Sequence, residues 1–288
     1  MKLPSSASGR KPLEGLSFLL AEDNVTNQLV ASQMLKALGG EVEIAADGAI
    51  ALDLVKARDF DILLIDIEMP RVSGLDVIRA VRADEAPLAT KPIIALTAYA
   101  MAEHRVKILE VGADGLIAKP ITSITQFGED IRDIASKALA ERNGEAPQSA
   151  PPKPKPVTAP EVMAGERRVD PAGAQIDRAI FDGLAQSVGA KGFAAVLRKA
   201  EDDLETAGRQ IEMAAETGDI VLMRGASHVV ISVAGSVGGV RLQRQAEALN
   251  RLAHIEEIGA AAVLTREINR ELKGVLEFIR VERKGGDA

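Results

Sequence analysis

Five short apolar runs, each followed by a stretch of helical periodicity, constrain what this chain can fold into more than any other feature. The runs are Ser17 to Ala21, Val42 to Ala45, Ile62 to Ile65, Pro92 to Leu96 and Leu116 to Ala118. Between and after them lie helical stretches: Val25 to Leu38, stopped at Gly39-Gly40; Ala49 to Ala57, with Asp47 able to cap it; and a helix begun by Ser73, with Asp76 three residues on as in a capping box. A fourth helix runs from about Met101 to Val111 and stops at Gly112, and a fifth begins near Thr122. Five such units in about 125 residues predict an α/β domain, a doubly wound five-stranded parallel sheet.

The third run, Ile62-Leu63-Leu64-Ile65-Asp66, reads as a central strand covered on both faces, and it stops on a carboxylate. Ligands of open α/β sheets bind in the crevice beyond the carboxyl ends of the strands. Strand one ends in Glu22-Asp23, strand four in Thr97 and strand five in Lys119-Pro120, so these groups share one edge with Asp66. Three crowded carboxylates repel, and a hard divalent cation such as Mg2+ relieves the repulsion. A lysine and a hydroxyl at the same rim suit the oxygens of a transferring phosphoryl group. Asp66 is thereby a candidate nucleophile that forms an acyl phosphate.

Residues 16 to 140 resemble a two-component receiver domain. The matching segments are Leu20-Ala21-Glu22-Asp23-Asn24, Asp66-Ile67-Glu68-Met69-Pro70 with Ser73-Gly74, Ala95-Leu96-Thr97-Ala98, and Ala118-Lys119-Pro120. The resemblance implies that Asp66 is the phosphoacceptor. It also implies that Asp23 and the main-chain oxygen of Glu68 bind Mg2+, that Glu22 acts through water, and that Thr97 and Lys119 bind phosphoryl oxygens. An aromatic residue is common in this family three positions before the lysine; here that residue is Leu116, with Tyr99 as a substitute for it.

The 288 residues allow two domains of ordinary size. The absence of Cys excludes disulfides and thiolate metal sites. A net charge of -7 argues against nucleic acid as a partner. No apolar run approaches the roughly 20 residues of a membrane span, and the polar start has no signal-peptide core, so the expected setting is the cytoplasm without membrane insertion. With no Trp and a single Tyr, the cores are to be built from Leu, Ile, Val and Ala.

Assigning residues 15 to 140 to the first domain leaves 141 to 173 as a linker. That linker contains Pro151-Pro152-Lys153-Pro154-Lys155-Pro156, which cannot pack a core and reads as an extended tether. Residues 174 to 284 then show only helical periods. Ile176, Ile180 and Leu184 mark a short helix, and Phe193, Val196, Ala200, Leu204, Ala207, Ile211 and Ala214 a long amphipathic one. Further helices are expected near 219 to 236, 240 to 256 and 259 to 281, giving an all-α bundle of four main helices. In the first of these three, the apolar stripe is Leu222, Ala226, Val229, Val230, Val233 and Val237. His228 lies well over 100° from its middle and is expected to face solvent, among Gly225, Ser232 and Gly235. A neutral exposed imidazole is a capable nucleophile. His104 and His254 have no such setting.

The segment from Gly218-Asp219 through Ser227-His228 to Gly235, Gly238 and Leu242 is similar to a histidine phosphotransfer (HPt) domain. By that similarity His228 is the phosphorylated histidine. The family usually has Lys-Gly three and four residues later, where this chain has Ile231-Ser232. Together the resemblances imply a phosphorelay signalling protein rather than an enzyme, since no nucleotide-binding motif of a kinase is present. Asp66 would accept a phosphoryl group from a sensor histidine kinase or HPt protein, and His228 would exchange one with a receiver of another response regulator. The alternative is a phosphorylation-regulated adaptor whose helical domain only docks partners, favoured by an apolar Ile231 on the exposed face.

Overall fold

The computed structural model describes residues 11–85, 87–98, 102–142 and 176–286. The proline-rich linker, Tyr99 and the side chain of His104 lie outside the described residues. The chain divides into two compact units, one α/β and one helical.

In the α/β unit, β1 (Ser17–Ala21), β2 (Glu41–Ala45), β3 (Ile62–Asp66), β4 (Ile93–Thr97) and β5 (Gly115–Ala118) form one parallel sheet in the order β2-β1-β3-β4-β5. Every residue of β3 and β4 is buried, as continuous apolar runs require when helices cover both faces. The edge strand β2 is more exposed and carries Glu41 and Glu43. One face of the sheet buries Leu19, Leu63, Ile65, Ile93 and Ala95 with Ala51 and Val55 of α2 (Gly48–Ala57) and Val77, Ile78 and Val81 of α3 (Gly74–Arg82). By strand alternation Phe18, Leu20, Leu64, Ile94 and Leu96 point the other way, and they are equally buried. Helices α1 (Val25–Ala37), α4 (Ala102–Glu110) and α5 (Ile124–Arg142) complete the unit. The sheet order reverses between β1 and β3, which opens a crevice at their carboxyl ends.

The expected caps form. Asp47 accepts from the N–H of Ile50 at 2.8 Å, and Ser73 accepts from that of Asp76 at 3.3 Å. Boundaries move by a residue or two: β5 begins at Gly115 and α5 at Ile124.

The helical unit contains α6 (Arg178–Thr217), α7 (Ile220–Ser236), α8 (Val240–His254) and α9 (Ile258–Gly286). Each packs on the next, and α6 also packs on α9. The expected short and long helices meet at Gly189, whose φ of 68° and ψ of 167° break α6 into two segments. Val196, Ala200, Leu204, Ala207, Ile211 and Ala214 are buried along α6, with Ile268, Leu272, Val275 and Ile279 along α9. Phe181 packs edge-on against Phe193 and Phe278, with ring centroids 5.0 and 4.8 Å apart. Glu201 on α6 pairs with Arg280 and Arg283 on α9, both at 2.6 Å. Among the described residues no helix is long and apolar enough to cross a membrane.

Candidate functional site

The strand ends converge as the sequence predicts. Asp66 closes β3 with no exposed surface, Thr97 closes the neighbouring β4 and is also buried, and Lys119 follows β5. Glu22 and Asp23 continue the chain from β1 on the other side of β3. Glu22, Asp23 and Asp66 each present a carboxylate oxygen within 4.8 Å of the others. The Lys119 Nζ donates to Asp66 Oδ2 at 2.8 Å and to Glu22 Oε2 at 3.2 Å. Its main-chain N–H donates to the carbonyl of Thr97 at 2.8 Å, so the register of β4 and β5 sets where the ammonium starts.

Burial by itself would push the Lys119 ammonium toward deprotonation, but the charges of Asp66 and Glu22 outweigh it and hold its pKa above the ordinary 10.5. The three carboxylates crowd negative charge into a small volume, and Lys119 is paired with two of them. This all-oxygen donor set fits a hard divalent cation.

Three features of the site are not indicated by the residues that close the strands. Glu22 Oε1 accepts from the Asn27 side chain at 2.9 Å, and its carbonyl accepts from the Gln28 side chain at 2.6 Å, so the first turn of α1 orients it. A buried polar residue on an otherwise apolar helix face was the available signal for Asn27. The loop after β3 is folded back on itself: Glu68 N–H donates to Asp66 Oδ1 at 3.2 Å, and Gly74 N–H to the carbonyl of Ile67 at 3.1 Å. A Cβ on Gly74 would stand 1.9 Å from the carbonyl oxygen of Asp66, so only glycine lets α3 start this close to β3. Finally, Asp47 at the start of α2 pairs with Arg71 of the same loop.

On α7 the buried stripe is Met223, Ala226, Val230, Val233 and Val237, while Leu222 and Val229 are half-buried. At about 100° per residue His228 lies on the opposite side of the helix. It is half-buried rather than open to solvent. Gly225, one turn earlier, is exposed, and a Cβ there would meet nothing within 4 Å. Ser232 and Gly235, expected to be open on the same face, are buried. Ile231 is also buried, which corrects the expectation of an exposed apolar residue. By helical position it falls between Ser227 and Arg224, on the flank turned to α8. Asn250 of α8 donates to Ser227 Oγ at 2.8 Å and to the Arg224 carbonyl at 3.0 Å, which fixes the rotation of α7.

Residues 18–127 match the response regulator receiver domain, and the α/β unit is therefore a receiver domain of two-component signalling. Among curated proteins, the chain is 31% identical over 141 residues to the aerobic respiration control sensor protein ArcB of Escherichia coli (strain K12), covering 47% of this chain and 18% of that protein. It is 39% identical over 109 residues to the sensor protein EvgS of Escherichia coli O157:H7, covering 38% of this chain and 9% of that protein. A probable histidine kinase 2 of Oryza sativa subsp. indica is 35% identical over 126 residues, covering 38% of this chain and 12% of that protein. The chain thus spans less than a fifth of the length of these relatives. Among solved structures, the receiver domain of a Pseudomonas aeruginosa PAO1 sensor histidine kinase, with magnesium coordinated in its active site cleft, is 33% identical. That match has a TM-score of 0.40 and covers 42% of this chain and 98% of that one.

Proposed function

We propose that the chain is a phosphorelay protein that carries phosphoryl groups stoichiometrically, with the cytoplasm as its setting. Asp66 is the acceptor from a phosphohistidine on a sensor kinase or phosphotransfer protein. A carboxylate oxygen of Asp66 bonds to phosphorus, the phosphorus–nitrogen bond of the donor breaks, and the leaving imidazole takes up a proton. Lys119, already ion-paired to Asp66 at 2.8 Å, neutralises the incoming oxygens, and the Thr97 hydroxyl at the end of β4 supplies a donor to them. Asp23, Asp66 and the main-chain oxygen of Glu68 are the residues that would hold Mg2+, with Glu22 acting through water; the ion would offset charge on the phosphoryl group. The observation that carries this reading is the buried contact of Lys119 with both Asp66 and Glu22 beside a third carboxylate.

The helical unit is read as an HPt domain, its four helices forming the bundle that presents His228 on the side of α7 away from the buried stripe. There the imidazole nitrogen attacks the phosphorus of a receiver aspartyl phosphate, the phosphorus–oxygen bond breaks, and the ring gives up its proton to solvent. An adaptor role drew its motive from an exposed Ile231, and the burial of that residue removes the motive.

Incubation with a labelled phosphohistidine donor and Mg2+ tests the reading. Wild-type protein should acquire acid-stable, base-labile label, which the Asp66→Asn variant should lack. Label on His228 should appear with a cognate phosphorylated receiver and vanish in His228→Gln. Absence of label at His228 with every receiver tried would return the helical unit to the adaptor role.

A further inference from the structure

Resting on the proposed role of Asp66, we infer that Arg71 is a positioning residue for the phosphoacceptor site, acting through its ion pair with Asp47. Arg71 has a φ of 69°, in the left-handed region that side chains other than glycine rarely adopt. Such a conformation persists where surrounding contacts over-determine it. Here the contact is specific: the Arg71 guanidinium reaches from the β3–α3 loop to Asp47, which is buried and caps α2 through the Ile50 N–H at 2.8 Å. The hydrogen bond to Ile50 and the charge of Arg71 hold the Asp47 carboxyl below its ordinary pKa despite its burial.

The two segments also fit closely in backbone terms. A Cβ on Gly48, the first residue of α2, would stand 2.4 Å from the carbonyl oxygen of Val72, next to Arg71. The loop from Asp66 to Gly74 is therefore closed at its base by Glu68 N–H on Asp66 Oδ1 and Gly74 N–H on the Ile67 carbonyl. Arg71 on Asp47 anchors it further along. Glu68, whose main-chain oxygen is assigned to the cation, lies three residues before that anchor. Fixing the loop limits the positions open to that oxygen, and releasing it lets loop conformations unable to bind the cation compete.

Two substitutions separate positioning from mere stability. Arg71→Gly removes the tie while relieving the backbone, so folding should hold or improve. Asp47→Asn removes the charge while keeping a side chain that caps a helix as well as aspartate does. Calorimetric titration of the unphosphorylated full chain with Mg2+ should show the dissociation constant rising about three- to tenfold in both variants. Arg71→Lys should recover part of the loss, and phosphorylation by a small acyl phosphate at saturating Mg2+ should stay within about twofold of wild type. Variants that bind Mg2+ as wild type does would overturn this inference and leave the assignment of Asp66 standing. Wild-type protein that bound no Mg2+ would overturn both.

Discussion

At the scale of single residues, Lys119 matters most, because it is buried and ion-paired to two buried carboxylates, Asp66 and Glu22. Removing one partner of such a cluster leaves buried charge uncompensated, which typically costs about 3 kcal/mol or more. Lys119→Met should therefore lower unfolding stability by roughly that amount in urea without Mg2+, with part of the loss restored by the cation. Unchanged stability would mean that the carboxylates are solvated. The pH dependence has a definite sign. The folded state raises the Lys119 pKa above 10.5, so its contribution is complete below that pH and is lost only as the pH climbs through the raised value. A stability profile of wild type against Lys119→Met should differ by a constant at neutral pH and converge only in strong alkali. Asp66, Thr97 and Lys119 were legible in the sequence because each closes an apolar strand, and strand ends share an edge in a parallel sheet. Arg71 and Asp47 were not paired in that reading. An ion pair between loops 24 residues apart leaves no periodic trace in either segment.

Elements were legible where periodicity and stop signals agreed, as in all five strands and in the caps at Asp47 and Ser73. The sequence reading placed a short helix before a long one without marking the junction. Gly189 forms that junction with a conformation essentially confined to glycine. Nothing crowds a Cβ there, so Gly189→Ala should cost about 1–3 kcal/mol from the backbone alone, measured by thermal or urea unfolding of the full chain. A neutral result would show that α6 can straighten through this point. The rotation of α7 was read from apolar residues alone, which put Leu222 and Val229 in the core. The structure turns the helix toward Met223, where buried Ser227 of α7 accepts a hydrogen bond from buried Asn250 of α8, a polar constraint that hydrophobic periodicity does not register.

At the scale of the whole molecule, the chain joins a receiver domain to a helical unit, and the two carry complementary candidate phosphoacceptors. The receiver half was recognisable because five separated positions had to hold the right residues in the right order. The helical half rested on one short motif around His228, and the substitution of Ile231 for the usual lysine was visible without its consequence, burial on the α8 flank. The most direct test is mass-spectrometric mapping of phosphoryl groups after exposure of the full chain to a phosphohistidine donor and Mg2+, with borohydride trapping of acyl phosphates. The account predicts trapped modification at Asp66, absent in Asp66→Asn and strongly reduced in Lys119→Met. Modification at another residue, or undiminished modification of the Asp66→Asn variant, would contradict it.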